Sequence, residues 1–336
     1  MTGKNPGRRA LIAAAAVVFG VGLVAISLYL GSYRIPFGEV WRTLFGGLPA
    51  GPEPTPAADI LFQVRLPRIL LAIFAGAALA VSGASLQAIF RNPLVFEFSL
   101  GISYGAAFGA ALSLVVVGPK FPPQVAAFVF ALTAVLLVLV IAGKGASQII
   151  SILLSGIIVS ALFQALLSLV EFFASPYALQ SLVFWLMGSL NRATWKDLAI
   201  TLPVIGAGVA VLVLLRWRLN VLSLSEEEAR AMGLNVRREK ILVVLVATLV
   251  TASATAVTGV ISWMGLIVPH LVRQAVGADN RKVIPLSAAL GAVLLLVADN
   301  VARSAAAFEI PIGILTSVVG IPFFIILLRK SGKVWL

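Results

Sequence analysis

Cysteine is absent from the 336 residues, and histidine occurs once, as His270. Disulfides and cysteine–metal sites are thereby excluded, and one imidazole cannot build a multi-histidine metal centre. Charge is scarce too: Asp, Glu, Lys and Arg make up 11% of the chain, against 60% hydrophobic residues. A soluble domain of this length could not solvate itself with so few charges, so the composition points to a bilayer. The net charge of +12 is then no sign of nucleic acid, because the basic residues lie between and beside apolar runs, where they orient a chain in a membrane. No phosphate loop of the form G-x-x-x-x-G-K-[ST] occurs; Gly143-Lys144-Gly145 and Gly332-Lys333 lack the frame. Neither H-E-x-x-H nor a Ser/His/Asp set is present. The chain is expected to be no enzyme and to hold no cofactor or metal of its own.

What remains is hydrocarbon in spans of about 20 residues, the length that crosses a bilayer core as a helix. Ten are expected, near 10–30, 66–90, 98–118, 122–142, 148–172, 196–215, 241–259, 262–276, 284–302 and 311–329. The first has a basic start like that of a signal peptide, but its apolar run reaches Leu30 with no convincing cleavage site, so it reads as a retained span. With the N-terminus inside, seventeen Lys and Arg fall on inside segments and eight on outside ones. That bias predicts an all-α polytopic membrane protein with both termini cytoplasmic, one transmembrane domain over 1–336. Residues 31–64 form the longest outside segment, with a short interfacial helix expected around Phe37–Leu44. Gly101, Gly105 and Gly109 fall four apart on one face and are read as helix packing. His270 reads as a helix-end residue, and Asp299 and Arg303, at i and i+4, as an ion pair. The acids nearest the spans, Glu171, Asp299 and Glu309, all fall near outer ends. With no carboxylate expected at membrane depth, an ion-coupled carrier is disfavoured. If the chain moves a solute uphill, the energy should then come from another subunit.

The densest charge lies in residues 216–240, RWRLNVLSLSEEEARAMGLNVRREK, between two spans and on the inside. Ser225 and Glu228 have the spacing of a capping box, Leu224 stands at the staple position, and three acids occupy the first turn, facing the positive helix end. Gly233 supplies a C-terminal stop, which gives a helix of about two turns over 226–232, with a second short turn near Asn235. A helix that short is marginal alone in water. The segment is either a solvated loop or a docking element for a soluble partner.

Longer stretches carry a family resemblance. They are RLPRILLAIFAGAALAVSGASLQAIFRNPLVFEFSLGISYGAAFG at 65–109, WLMGSLN at 185–191, GVISWMGLIVPHLVRQAVGADNRKVIP at 259–285 and ADNVARSAAAFEIPIGILTSVVGIPFFIILL at 298–328. With the charged loop, they resemble the permease subunit of type II ABC importers, which take up iron–siderophore complexes, heme and cobalamin. The resemblance implies a homodimer in the cytoplasmic membrane of a bacterium or archaeon. Two ATP-binding-cassette subunits, which hold ATP and magnesium, sit beneath it, and a soluble or lipid-anchored binding protein docks outside. It implies an ATPase-docking loop at 219–236, with Glu226, Glu227, Glu228, Arg230 and Met232 as contact residues. It implies binding-protein contacts at Arg65, Arg68 and Arg303, with lipid-headgroup anchoring as the alternative for each. It also puts a cytoplasmic gate at Ser147, Gln148 and Ser151, where Ile149 and Ile150 could equally form an apolar plug. The fifth and tenth spans are expected near the dimer axis.

Two departures bear on cargo. After Arg91-Asn92-Pro93-Leu94, where many relatives carry small residues, proline and glycine, this chain has Val95-Phe96-Glu97-Phe98-Ser99. Trp263 stands where phenylalanine is common, as in relatives resembling molybdate or tungstate importers. A bulky metal chelate is the expected cargo, with an oxyanion as the alternative.

Overall fold

The computed structural model describes residues 6–31, 33, 35–46, 55–118, 120–143, 149–305 and 308–331. The helices are α1 (Pro6–Tyr29), α2 (Phe37–Phe45), α3 (Pro56–Asp59), α4 (Leu66–Phe90), α5 (Ile102–Ala111), α6 (Pro123–Ala142), α7 (Ile149–Phe173), α8 (Pro176–Leu186), α9 (Trp195–Leu214), α10 (Arg216–Leu222), α11 (Glu226–Ala231), α12 (Val236–Thr258), α13 (Met264–Val276), α14 (Asn280–Ala302) and α15 (Ile312–Ser331). No strand occurs among the described residues.

Among the described residues, six stretches are long and apolar enough to cross a membrane: Pro56–Phe90, α6, α7, α9, α12 and α14. Shorter apolar helices, Val18–Tyr29, Ile102–Val117 and Ile312–Ile326, occupy the first, third and tenth expected spans. The eighth is α13, whose 13 residues rise about 20 Å, short of the bilayer core. It stays short because the chain breaks between Thr258 and Met264, where Trp263 sits at φ +74. That break separates two spans that hydropathy alone runs together, and irregular backbone at such a depth is tolerated only inside protein or along a cavity.

α4 is the hub. Twenty of its 25 residues are buried, and α14, α12, α13 and α9 pack around it. Alanine, glycine and serine on α4 let backbones approach, as in membrane helix pairs generally. A Cβ on Gly76 would lie 2.2 Å from the Gly291 carbonyl oxygen, and one on Gly83 would lie 2.0 Å from that of Gly265. The expected glycine face on α5 packs as well, with Gly105 against Phe130 and Gly109 against Ala126 of α6.

Several boundaries differ from the sequence reading. The helix α2 lies where the interfacial helix was expected, and the helical stretch that leads into α4 begins at Pro56, within the 31–64 segment. Thr55 caps α3, and a π-helical turn, Ile60–Arg65, joins α3 without interruption to α4. α12 begins at Val236 rather than 241, because the Asn235 side chain accepts from the Arg238 amide as an N-cap. The expected second short turn is therefore the start of α12. α8 and α10 were not expected as separate helices.

Candidate docking loop and charge clusters

At the loop end of the bundle, α10 leaves α9 and packs Leu219, Val221 and Leu222 inward. The short helix α11 follows, with the capping box as expected. The Ser225 hydroxyl accepts from the Glu228 amide at 3.2 Å, and Glu228 Oε2 accepts from the Ser225 amide at 2.9 Å and its hydroxyl at 2.8 Å. These bonds from Ser225 hold the Glu228 carboxyl below the usual carboxylate range. Ala229 is buried beneath the helix, and Gly233 ends it at φ +84.

The five residues expected at an ATPase contact divide by what they touch within the chain. Glu227, Arg230 and Met232 are exposed, Met232 by 52%. Glu228 is exposed but engaged in the cap. Glu226 is turned inward: its Oε1 lies 2.7 Å from Lys240 Nζ, and its Oε2 takes Arg230 at 3.3 Å. Beside them an open cleft of about 500 Å3 is lined by Arg230, Gly233, Leu234, Asn235, Val236 and Arg237.

A joint unforeseen in the sequence fastens this loop to the base of α14. Asn220 Nδ2 donates to Asp279 Oδ1 at 2.8 Å, and the Asn280 amide donates to Asn220 Oδ1 at 2.7 Å. Asn280 Nδ2 donates to Ser223 Oγ at 3.2 Å. Bonds from Asn220 and then Arg281 lower the Asp279 carboxyl to about 2. The only signal in the sequence is a pair of amide side chains near helix ends, some 60 residues apart, which no local pattern connects.

At the opposite end, the three arginines expected to face outward are buried. Arg68, 4% exposed, pairs through Nε with Asp299 Oδ1 at 2.7 Å and through Nη1 with Glu309 Oε1 at 2.7 Å. Arg303, 5% exposed, sits 3.6 Å from Asp299 Oδ2 and donates to the Ser27 carbonyl at 2.6 Å. Arg65 donates to the carbonyls of Leu28 and Tyr33. The expected Asp299–Arg303 pair is present, but Asp299 bridges two guanidinium groups rather than one. Reading the arginines as headgroup anchors or free docking cations treated them as solvated. Packing between α1, α4 and α14 encloses them instead. Glu309 and Arg192 are the charges nearer the surface here, lining a cavity of about 300 Å3 with Trp185, Ser189 and Asn191.

A carboxyl also lies where none was expected. Glu97 is 3% exposed, with Oε1 unpartnered among the described residues. Its Oε2 would meet a Cβ on Gly265 at 2.6 Å, and the neighbouring Ser99 carbonyl presses on Gly156 of α7. Gly156 lies seven residues into α7, about 10 Å from its end. One such group, with no ion pair, is not the relay of ionisable groups that an ion-coupled carrier requires. Of the gate residues, Ser147 and Gln148 fall outside the described residues. Ser151 is half-buried on the first turn of α7. His270 is buried on α13, 3.2 Å from Gln274. Among the described residues no cluster of His, Cys, Asp or Glu is placed to hold a metal.

Known proteins share this architecture. The model of the FecCD transport family matches residues 17–330. The hemin transport system permease protein HmuU of Yersinia pestis is 40% identical over 317 residues, covering 91% of this chain and 92% of that one. The molybdate import system permease protein MolB of Haemophilus influenzae is 37% identical over 324 residues, covering 94% and 96%. A solved metal-chelate type ABC transporter in an inward-facing conformation superposes with a TM-score of 0.85 at 36% identity, over 96% of this chain and 99% of that one.

Proposed function

The chain belongs to the FecCD transport family, and from that premise we propose that it is the permease of an ATP-driven importer that carries a metal chelate by alternating access. Two ATPase subunits supply the energy, binding ATP and magnesium themselves. A soluble or lipid-anchored binding protein delivers heme, a ferric siderophore or cobalamin. The assembly sits in the cytoplasmic membrane of a bacterium or archaeon, with both termini and the 216–240 loop inside.

The observation that carries this reading is α11. It is a capped helix of six residues, too short to persist alone, held on the bundle with Glu227, Arg230 and Met232 outward. A multi-pass protein with no nucleotide motif of its own presents, at that helix, a shaped and charged surface to something soluble. Ala229 is the buried residue of this helix, so Ala229→Pro removes a backbone donor and the packing at once. In proteoliposomes holding the permease, its ATPase and its binding protein, this variant is expected to lose chelate uptake or release the ATPase. Normal uptake with a normally bound ATPase refutes the docking role.

The relatives and the solved structure support a chelate, and the absence of a cluster of basic residues at membrane depth among the described residues agrees. The MolB likeness and Trp263 favour molybdate or tungstate as the second reading. Calorimetric titration of the cognate binding protein with heme, a ferric siderophore, cobalamin and molybdate separates the two. Tight binding of the oxyanion alone overturns the first.

The burial of Arg65, Arg68 and Arg303 argues against a direct contact between their guanidinium groups and a binding protein. These three hold the mouth together, and Arg192 and Glu309 offer the charges that a partner meets first.

A further inference from the structure

We infer that Lys240 is a positioning residue: it ties the docking helix to α12 and carries the movement of one into the other. The inference rests on the reading of α11 as the ATPase-docking element.

Lys240 is the fifth residue of α12 and only 2% exposed. Its ammonium lies 2.7 Å from Glu226, the first residue of α11, across 14 residues of chain. The two charged groups do different work from the capping box. Ser225 and Glu228 lie within α11 and its cap and can only fix the shape of that helix. Glu226 and Lys240 join α11 to a second helix, one that crosses the membrane. An exposed lysine would make a slack tether, because water competes for the ammonium and the side chain moves freely. Here the lysine is enclosed, so water does not compete for the bond and the side chain has little freedom to follow α11 alone. Displacing α11 therefore costs less with α12 in tow than without it.

The same turn of α12 holds a second element. Arg237, three residues earlier on the same face, donates through Nη2 to the Gly143 carbonyl at 3.3 Å, where α6 ends. The base of α12 thus grips the docking helix through one cation and the end of α6 through another. From there α12 runs against α4, α9 and α6, so its displacement reaches the centre of the bundle. The exposed residues of α11 meet the partner; Lys240 is shielded from it and acts through Glu226.

The test uses the whole importer in proteoliposomes, reading chelate uptake, ATP hydrolysis and ATPase retention together. Wild type comes first: if it retains no ATPase, the reading of α11 fails and the role of Lys240 is not what failed. In Lys240→Met the complex is expected to stay assembled and to hydrolyse ATP. Uptake per ATP is expected to fall about tenfold, the upper range for a residue on a coupling route. Lys240→Arg, which keeps the charge, is expected to recover most of the ratio. A merely structural lysine would lower uptake and hydrolysis in proportion, alongside the melting temperature. That outcome overturns the inference, as does an unchanged ratio in Lys240→Met or loss of its ATPase. Should Lys240→Met not accumulate, Lys240→Gln, which removes the charge and keeps a polar end at the enclosed site, is read by the same ratio and the same criteria.

Discussion

Asp299 shows how much one residue can hold in this protein. Its two oxygens face Arg68 and Arg303, and all three side chains are at most 5% exposed. Removing one partner of such a buried set leaves the others uncompensated, at a cost of about 3 kcal/mol or more. Asp299→Ala is therefore expected to lower the melting temperature in detergent sharply. Glu309→Gln, at the part-exposed rim, is expected to cost less than about 1 kcal/mol. Equal effects would mean that the rim and the centre share the load. Asp279 gives a pH signature. Its carboxyl, lowered to about 2 from 3.8 by Asn220 and Arg281, stabilises the folded joint fully above the ordinary value. That contribution fades as pH falls through 4 toward 2. The melting-temperature gap between wild type and Asp279→Asn should thus be constant from pH 7 to about 4 and shrink below it. A gap that widens on acidification contradicts the joint. The capping box was legible in the sequence because Ser225 and Glu228 are three residues apart. The Asn220–Asp279 and Glu226–Lys240 bonds were not, because each depends on helices meeting in space.

Helices were the most legible elements, since a bilayer demands long apolar runs and each expected span coincides with a helix. What hydropathy missed are features it does not measure. α8 is a short, mostly exposed helix beside the long α7 and adds no span of its own. Glu97 was hidden because one charge scarcely changes the apolarity of its surroundings. The arginines were misplaced because topology rules treat every cation as solvated, whereas α4 and α14 enclose theirs. The packing of those two helices rests on mutual close approach at Gly76 and Gly291, whose added Cβ atoms would each fall within 2.3 Å of the other's carbonyl oxygen. Neither backbone can yield without moving a helix. Gly291→Leu is expected to cost at least the 1–3 kcal/mol typical of overpacking, seen as a lower melting temperature and poor accumulation. Gly20→Leu, on α1 with open space around it, is the control and should be near neutral. Similar losses in both would assign the effect to helix propensity or insertion instead.

At the scale of the molecule, the exposed face of α7 does not look like a surface built for lipid alone. Ile157, Ala161, Gln164 and Ser168 follow one another at helical spacing and are all exposed, so two polar side chains stand within an apolar helix. On α6, by contrast, the exposed residues Val129, Leu136 and Val140 are wholly apolar. Polar groups at membrane depth need a partner or water, which a two-fold axis along α7 would provide as a seam or a pathway between two copies. The absence of cysteine makes the prediction clean to test, because any introduced thiol is the only one in the chain. Gln164→Cys, in membranes treated with a short bifunctional maleimide, is expected to yield a covalent dimer. Val129→Cys is expected to remain monomeric under the same treatment. A dimer from Val129→Cys and none from Gln164→Cys would move the axis to the other side of the bundle, and with it the path along which cargo would cross.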